Sequence, residues 1–345
     1  MKEGNYIYLH AFCVHVSKSI LIIILNWNCA HDTMEAIRSV YASKVEPYTY
    51  DIFLVDNGSK DDSVQKLRAF FASEGLRVEE IHDEQTTIAE KGTKKIFFYI
   101  SSVNTGFAGG NNIGMRFALK NGYDFVFLLN ADAVVSQDCI KVLVETMKKD
   151  ASIGIAGPKV YYYDFHGKKN VINFAGGKID MWRGIGIHIG QREEDHGQYD
   201  KIYDVDYVEG SAFMVKSSVL AKVGVFDENY FAYWEESDLC MRARKGGWRI
   251  IYNGYIWIRH KESITSNERP IKEYYLIRNS LYFTKKHGNA WTKIVLISRV
   301  LYLVSRNLAS HLIKNHGKDI SRWRFYIFQA VLDFLLGRMG YREIP

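Results

Sequence analysis

Short apolar runs alternate with helical patterns over the first 150 residues of this sequence. The apolar runs are ILIIIL (20–25), DIFLVD (51–56), IFFYIS (96–101) and DFVFLLN (124–130). Helical patterns lie between them, over 33–43, 62–73 and 110–120. A strand that is apolar throughout is buried on both faces, and strands separated by helices form a parallel sheet. The alternation therefore predicts an α/β fold with a doubly wound, mostly parallel sheet.

Beyond residue 150 the pattern is less regular. Strand patterns near 206–216 and 248–260 flank an acidic helical segment, and from about Pro270 the pattern is helical to the end. The polar segment 83–95 predicts a surface loop. A chain of 345 residues, of which 47% are hydrophobic, is long enough for one large domain with an appendage.

Cysteine spacing and the N-terminal residues indicate a reducing compartment. The four cysteines, Cys13, Cys29, Cys139 and Cys240, form no CxxC pair, which argues against a disulfide framework and a zinc site. The apolar stretch YIYLHAFCVHV near the N-terminus is broken by two histidines and leads into no small-residue cleavage site. We therefore expect a cytoplasmic protein with an N-terminal extension (1–18).

The net charge of +6 is concentrated at the C-terminal end. From Lys285 onward the sequence has 11 Lys and Arg against 3 Asp and Glu, so the preceding residues sum to −2. A nucleic-acid-binding protein would carry basic residues across a binding face, which argues against that class. The charge favours an anionic partner for the C-terminal region instead.

Two helical patterns, 291–314 and 323–336, lie in this basic region. Neither has the roughly 18 unbroken apolar residues of a membrane span. The charged residues of the first pattern share one arc of a helix with Asn307 and His311; they are Lys293, Arg299, Arg306 and Lys314. We predict an interfacial helix pair on an anionic membrane surface. The alternative is that both helices pack on the rest of the chain or on another subunit, and oligomerisation is left open.

Polar and glycine-rich segments follow four of the apolar runs: NWN, DNGSKDDS, NTGFAGGNN and NADA. Ligands of such sheets bind beyond the carboxyl ends of the strands, so these segments predict a ligand site. Asp56 could accept a hydrogen bond from a nucleobase or a ribose hydroxyl, whereas the alternative is a helix N-cap at Ser59 or Asp61. The glycines after Asn104 allow backbone N–H groups to approach a diphosphate, although neither a Walker A nor a GxGxxG motif is present.

Two further segments carry candidate ligands for a metal ion. Asn130 and Asp132 share one side of an extended chain, and an amide oxygen beside a carboxylate suits Mg²⁺ that also holds phosphate oxygens. A turn or cap residue is the alternative for Asp132. His260 ends the strand pattern YIWIRH, where a histidine with no ligand role is the alternative.

The segment YWEESDLCMR crowds three carboxylates, Glu235, Glu236 and Asp238, into four positions. Acidic residues are favoured in the first turn of a helix, where they meet the positive end of its dipole. Gly246 and Gly247 predict the end of this helix. Its candidate inward positions are Leu239, Cys240 and Ala243. The pattern alone leaves open whether one carboxylate is a catalytic base.

Seven ordered segments resemble glycosyltransferase family 2, in particular its rhamnosyltransferase-like and galactofuranosyltransferase-like members. They are ILNWN, VDNGSKDDS, NTGFAGGNNIG, LLNADA, GSAFMVK, VGVFDENYFAYWEESDLCMR and the histidine before KESIT, within about 19–285. The resemblance implies a GT-A fold and inverting transfer from a nucleotide-diphosphate sugar with Mg²⁺ or Mn²⁺. Together with the charge and helical patterns, it predicts an N-terminal extension (1–18), a catalytic domain (19–288) and a basic amphipathic helical tail (289–345). The catalytic domain would comprise a nucleotide-sugar-binding half (19–135) and an acceptor half (136–288).

The resemblance also assigns site residues. The donor-binding residues would be Asn28, Asp56, Asn57, Ser59, Asn104, Gly106, Gly109, Asn130 and Asp132. Asp132 and His260 would hold the metal, with Asn-Ala-Asp in place of the more common DxD, which removes one charge. Glu236 would be the general base where the family more often has Asp, and Glu235 and Asp238 would tune it or bind acceptor hydroxyls.

The implied reaction transfers a sugar, best matched by rhamnose from dTDP-rhamnose, to a glycan or polyprenyl-linked acceptor in cell-surface polysaccharide synthesis. Its place would be the cytoplasm or the inner face of the cell membrane. One alternative is a catalytically silent nucleotide-sugar-binding scaffold. A sugar nucleotidyltransferase is another, but ILNWNCAHDT lacks the Gly- and Arg/Lys-rich signature of that class.

Overall fold

The computed structural model of the protein describes residues 18–261, 269–312 and 318–343, with side chains for all of these except 269–270, 304, 306–312 and 318–324. Its strands are β1 Ser19–Asn26, β2 Thr49–Asp56, β3 Val78–Ile81, β4 Ile96–Ile100, β5 Phe125–Asn130, β6 Ala133–Val135, β7 Ile153–Tyr162, β8 Ile172–Phe174, β9 Gly177–Asp180, β10 Ile185–His188, β11 Ile202–Asp204, β12 Ala212–Lys216 and β13 Arg249–His260. Its helices are α1 Ala30–Tyr41, α2 Ser63–Ser73, α3 Gly106–Lys120, α4 Cys139–Lys149, α5 Ser217–Val223, α6 Glu235–Lys245, α7 Arg269–His287, α8 Ala290–Leu312 and α9 Lys318–Leu335. The predicted N-terminal extension lies outside the described residues except for Lys18.

A mixed sheet organises the described chain, in the strand order β11-β13-β7-β12-β5-β1-β2-β4-β3. The neighbours from β3 to β5 all run parallel. Strand β12 is antiparallel to both β5 and β7, while β13 is parallel to β7. Strands β1 and β2 are buried along almost their whole length, as their apolar sequences predict. The α/β fold with a mostly parallel sheet is therefore confirmed.

Helix α3 begins earlier than the sequence pattern predicted. The pattern placed the helix at 110–120 and a loop before it, whereas α3 starts at Gly106. Its glycines allow the helix to lie directly on β1: a Cβ on Gly114 would come within 2.7 Å of Ile23, and one on Gly110 would collide with Leu25. Tertiary packing thus outweighs the low helix propensity of glycine. The predicted strand 206–216 is likewise shorter, since only Ala212–Lys216 pairs as β12.

The acidic segment forms helix α6, and its inward positions are the predicted ones. Leu239, Cys240 and Ala243 are fully buried. The helix ends at Lys245, and Gly247 has a φ of 93°, a conformation that suits glycine. Among the described residues, Cys29, Cys139 and Cys240 are free thiols.

Helices α7, α8 and α9 pack against one another through two small apolar clusters. One contains Tyr274 and Tyr326, and the other contains Leu281, Leu296 and Val331. Part of the predicted basic arc lies outside the described residues. This part comprises the side chains of Arg306, Asn307 and His311 and the whole of Lys314. Arg299 turns inward to donate a hydrogen bond to the hydroxyl of Ser280 at 3.0 Å, so the arc is not wholly solvent-facing.

Asp333 explains why the aromatic tail pattern is interrupted by a charge. Its side chain is fully buried and accepts hydrogen bonds from the Tyr274 hydroxyl (2.8 Å) and from Gln329 Nε2 (3.0 Å). This contact joins α9 to α7 and supports the packed alternative for the second tail helix. Helix α8 still exposes large apolar side chains; they are Trp291, Ile294, Ile297, Leu301 and Tyr302. Across the described ranges, no helix has the length and apolarity to cross a bilayer.

Candidate functional site

The carboxyl ends of β1 and β2 form a polar corner around Asp56. Its buried carboxylate accepts hydrogen bonds from Asn26 Nδ2 at 2.7 Å and from the Ser59 N–H at 3.0 Å. The Ser59 hydroxyl accepts a hydrogen bond from the backbone N–H of Asn28 at 2.9 Å. The structure therefore brings together Asn28, Asp56 and Ser59. Sequence reasoning missed Asn26, although an asparagine closing a wholly apolar strand was a visible signal.

The N-cap alternative named Ser59 or Asp61, whereas the N-cap residue of α2 is Asp62, whose side chain makes no capping hydrogen bond. Asp61 Oδ1 accepts a hydrogen bond from the N–H of Ser63, the first residue of α2, at 3.0 Å. The side chains of Asp56 and Ser59 accept hydrogen bonds from the backbone of Ser59 and Asn28, and these hydrogen bonds do not involve the start of α2. Their side chains instead order the loop that follows β2.

Asn57 and Asn104 hold the next loop in place. The Asn57 amide nitrogen donates to Asn104 Oδ1 (3.1 Å) and to the Gly106 carbonyl (3.0 Å). Its amide oxygen accepts hydrogen bonds from the N–H (3.0 Å) and the hydroxyl (2.9 Å) of Thr105. All four hydrogen-bonding positions of this buried amide are thus used within the protein. The arrangement makes Asn57 a support for the glycine-rich loop.

Gly106 and Gly109 lie in the first turn of α3. Gly106 has a φ of 75°, and a Cβ there would collide with the ring and the carbonyl oxygen of Phe231. A Cβ on Gly109 would lie 2.8 Å from the side chain of Thr105. The Phe231 carbonyl also accepts a hydrogen bond from the N–H of Ala108 at 3.0 Å. The glycines therefore allow close approach between this helix start and the loop that contains Phe231.

Asp132, His260 and Asn130 converge where β5 and β13 end. His260 Nε2 lies 3.1 Å from Asp132 Oδ1 and 3.3 Å from Asn130 Nδ2. On the other side of the ring, His260 Nδ1 lies 3.5 Å from Glu209 Oε1. Burial alone would lower the pKa of His260, but hydrogen bonds with Asp132 and Glu209 outweigh it and raise the pKa to about 10. Glu209 was not predicted, because one Glu in the strand pattern DYVEGSAF resembles a surface residue.

The donor set at Asp132 fits a divalent cation that is shared with a ligand. Carboxylate, amide and imidazole groups suit Mg²⁺ or Mn²⁺. Glu209 Oε2 is buried without a hydrogen-bond partner, so this carboxylate can still accept a further hydrogen bond. Within the described ranges, no group of three His, Cys, Asp or Glu side chains could hold a metal alone. The remaining coordination positions would have to be filled by a bound diphosphate or by water.

Asp238 is tied to Arg242, Lys286 and His287. Its carboxylate accepts hydrogen bonds from Arg242 Nε (2.7 Å) and His287 Nε2 (2.6 Å) and forms an ion pair with Lys286 at 2.8 Å. Burial opposes ionisation, but these partners hold the pKa of Asp238 well below its usual range. Asp238 is a permanently ionised, fully buried anchor between α6 and α7. Such a carboxylate is a poor proton acceptor.

Glu235 and Glu236 have the opposite electrostatic environment. Burial raises the pKa of both, and each is hydrogen-bonded to the other. The charge of Glu209 further raises the pKa of Glu236, which reaches about 7. Glu235 is 3% exposed, whereas Glu236 is only partly buried. Of the three predicted carboxylates, Glu236 therefore combines access with a pKa suited to proton transfer near neutral pH.

The backbone just before these residues is strained. Phe231, Tyr233 and Trp234 have φ values of 62°, 69° and 79°, in the left-handed region that non-glycine residues disfavour. Strain of this kind clusters at functional sites. Glu235 and Glu236 follow this strained segment directly, so its backbone conformation determines where their side chains lie.

Two sequence families match the chain. Residues 21–224 match the family described as Glycosyl transferase family 2, and residues 125–328 match Glycosyl transferase family group 2. The Low-salt glycan biosynthesis hexosyltransferase Agl10 of Haloferax volcanii is 27% identical over 159 residues, covering 44% of this chain and 47% of that protein. The N-acetylglucosaminyl-diphospho-decaprenol L-rhamnosyltransferase of Mycobacterium tuberculosis is 31% identical over 121 residues, covering 35% and 39%. This chain thus spans less than half the length of either relative.

The fold is similar to that of a solved mannosyltransferase. PcManGT from Pyrobaculum calidifontis, in complex with GDP-Man and Mn²⁺, has a TM-score of 0.56 at 14% identity, covering 94% of this chain and 89% of that one. The likeness confirms the GT-A fold that the sequence resemblance implied. Since the family match covers more than half of the sequence, this chain belongs to glycosyl transferase family 2.

Proposed function

We propose that this protein is an inverting glycosyltransferase that moves a hexose from a nucleotide-diphosphate donor to a hydroxyl of a glycan or a polyprenyl-linked glycan. The observation that carries the proposal is the succession of Asp132, His260, Glu209 and Glu236 from the end of β5 to the start of α6. It sets a cation-binding pair beside a carboxylate with a raised pKa. Inverting transfer needs both on opposite sides of the reacting sugar carbon.

Glu236 is the proposed general base. It takes the proton of the acceptor hydroxyl as that oxygen attacks the anomeric carbon, and the bond to the diphosphate oxygen breaks. A positioned base typically contributes about 10²–10⁴ in rate. Glu235, buried against Glu236 with a raised pKa, retains its own proton and leaves the accepting role to its neighbour. Asp238 anchors the helix and does not touch the reacting groups in this proposal.

The donor would lie between the Asp56 corner and the start of α3. Asp56, with Asn28 and Ser59 beside it, would hold the nucleoside, and the glycine-rich loop that Asn57 and Asn104 hold in place would border the diphosphate. Asp132 and His260, with Asn130, would hold Mg²⁺ or Mn²⁺, which stabilises the charge of the departing diphosphate. Glu209 would orient His260 through the second ring nitrogen, as carboxylates commonly do for metal-bound histidines.

The donor and acceptor are proposed from likeness alone. The hexosyltransferase and L-rhamnosyltransferase relatives support a hexose donor, with dTDP-rhamnose as the first choice, and a decaprenol-linked relative supports a lipid-linked acceptor. The exposed apolar face of α8 supports the peripheral membrane attachment expected from the sequence. The alternatives remain a silent binding protein and a nucleotidyltransferase.

The test is a donor screen with the purified full chain, counting released nucleotide diphosphate in the presence of Mn²⁺. We expect release from one nucleotide sugar, accelerated by a lipid-linked or glycan acceptor, and a product whose anomeric configuration is inverted by NMR. Binding of nucleotide sugars without release under every acceptor condition would indicate the silent scaffold. Formation of a nucleotide sugar and pyrophosphate from a sugar phosphate and a nucleoside triphosphate would indicate the nucleotidyltransferase.

A further inference from the structure

The loop that leads into α6 is held from outside by α7. Three of its four residues from Phe231 to Trp234 have positive φ, so the backbone would not adopt this shape without external contacts. Glu236 lies only two residues after Trp234, the last residue of the loop. A change of conformation at Trp234 would therefore turn the first residues of α6 and move the carboxylate of Glu236.

Asn279 contacts three carbonyl groups of this loop. Its side-chain nitrogen carries two hydrogens and lies within hydrogen-bond distance of the carbonyl oxygens of Tyr230 (2.8 Å), Ala232 (2.8 Å) and Tyr233 (2.9 Å), which share them. Its side-chain oxygen accepts a hydrogen bond from Arg278 Nε at 3.1 Å. The side chain is fully buried, so its loss would remove the donor of the Ala232 and Tyr233 carbonyls at a place where water could not easily replace it.

Arg278 extends the same contact to the beginning of the loop. Its guanidinium donates to the carbonyls of Asn229 and Tyr230, both at 3.2 Å, and to the carbonyl of Gly340 at 2.8 Å. Arg278 is fully buried, and its hydrogen bonds in the described chain go to neutral groups. A buried guanidinium committed to loop carbonyls is costly unless those contacts are made, which makes it a strong constraint on the loop.

The loop also contacts the proposed donor site. The Phe231 ring stacks on Tyr275 of α7, with ring centroids 5.2 Å apart, while its carbonyl accepts the Ala108 N–H of α3. The loop from Phe231 to Trp234 thus contacts the start of α3 and α7, and it leads directly to Glu236. We propose that Arg278 and Asn279 are positioning residues, which fix this loop so that Glu236 points at the acceptor oxygen; this rests on the proposed function of Glu236.

The experiment compares Asn279→Ala and Asn279→Asp with Val331→Ala. Asn279→Asp keeps the size of the side chain and removes its N–H donors. Val331→Ala is the matched control, because Val331 is buried between α7 and α9 in a cluster that does not include the loop. We expect both Asn279 variants to lose about 10- to 100-fold in kcat, as misplaced catalytic groups do. The donor KM and the dissociation constant of the nucleotide diphosphate should stay within about twofold, and the acidic limb of the pH–rate profile should shift.

Three outcomes are decisive. Wild-type kcat and an unshifted pH profile in both Asn279 variants, while Glu236→Gln is inactive, would overturn the positioning role and leave the proposed function intact. Equal losses in kcat for Val331→Ala and the Asn279 variants at matched melting temperatures would also overturn it, since the effect would then be general destabilisation. If Glu236→Gln retains turnover, the proposed base itself is wrong. Should Asn279→Ala not fold, Asn279→Gln and Arg278→Lys carry the same comparison with smaller changes.

Discussion

Replacing Glu236 with glutamine removes a proton acceptor and keeps almost the same shape. A positioned base is worth about 10²–10⁴ in rate, which corresponds to about 3–5 kcal/mol of barrier. The surroundings place the expected loss toward the upper end. Glu235 is nearly inaccessible and keeps its proton, while Asp238 is committed to Arg242, Lys286 and His287. Neither neighbour can take over as base, so we expect kcat to fall by about 10³–10⁴.

The pH dependence gives a second reading of the same substitution. Because burial raises the pKa of Glu236 to about 7, its carboxylate is protonated below that pH and ionised above it. The base form is lost as pH falls, so kcat/KM of the wild-type chain should decrease about tenfold per pH unit below 7. The residual activity of Glu236→Gln should lack this acidic limb. The assay is release of nucleotide diphosphate between pH 5.5 and 9, with donor affinity measured separately by calorimetry.

Two control variants separate the base from its neighbours. Glu235→Gln should retain most of the activity, since Glu235 is protonated already, and it should not lower the apparent pKa of Glu236, because the hydrogen bond from Glu235 itself lowers that pKa. Asp238→Asn should lower the melting temperature more than it lowers the rate of proton transfer, because it breaks a buried ion-pair network. Near-normal turnover of Glu236→Gln, together with an inactive Glu235→Gln, would refute the reasoning.

Three further predictions concern the metal, the tail and the membrane. Asp132→Ala should abolish the Mn²⁺-dependent part of nucleotide-diphosphate binding in calorimetry, and full activity of the wild-type chain after exhaustive chelation would contradict this. Asp333→Ala should lower the free energy of unfolding in urea by about 2–4 kcal/mol, because it leaves the Tyr274 hydroxyl and Gln329 without their buried partner; a change below about 1 kcal/mol would show that the contact is weak. The double change Ile294→Glu and Ile297→Glu, at positions 57% and 62% exposed, should reduce co-sedimentation with anionic vesicles and leave folding unchanged. If the wild-type chain ignores such vesicles at low salt, the exposed face serves another purpose.

The fold was predictable because its signals are local. Wholly apolar runs such as 20–25 are typical of strands that are buried on both faces, and their alternation with helical patterns indicates a parallel sheet. The start of α3 was not predictable in this way. Its glycines have low helix propensity, and they are helical here because Gly110 and Gly114 pack closely on Leu25 and Ile23. A contact across more than 80 residues leaves no periodic trace in either segment.

The site was only partly predictable for a similar reason. Resemblance made Asp56, Asp132, Glu236 and His260 the candidate site residues, each in a recognisable short motif. Glu209 has no such motif, and its importance arises only because β13 brings His260 against it. The burial of Asp333 was equally hidden, since a charge within an aromatic helix pattern reads as a solvent-facing residue until α7 is placed beside it.

The contact of Arg278 and Asn279 with the loop before α6 bears on how a newly synthesised chain becomes active. The residues proposed to bind the donor all lie within the first 132 positions, and chains leave the ribosome N-terminus first at about 5–20 residues per second. Glu236 emerges well before the two side chains that hold its loop. A growing chain would therefore gain its nucleotide-sugar surface earlier than its ability to transfer the sugar. Ribosome-bound chains halted at increasing lengths would measure this order, and activity in a chain ending before α7 would disprove it.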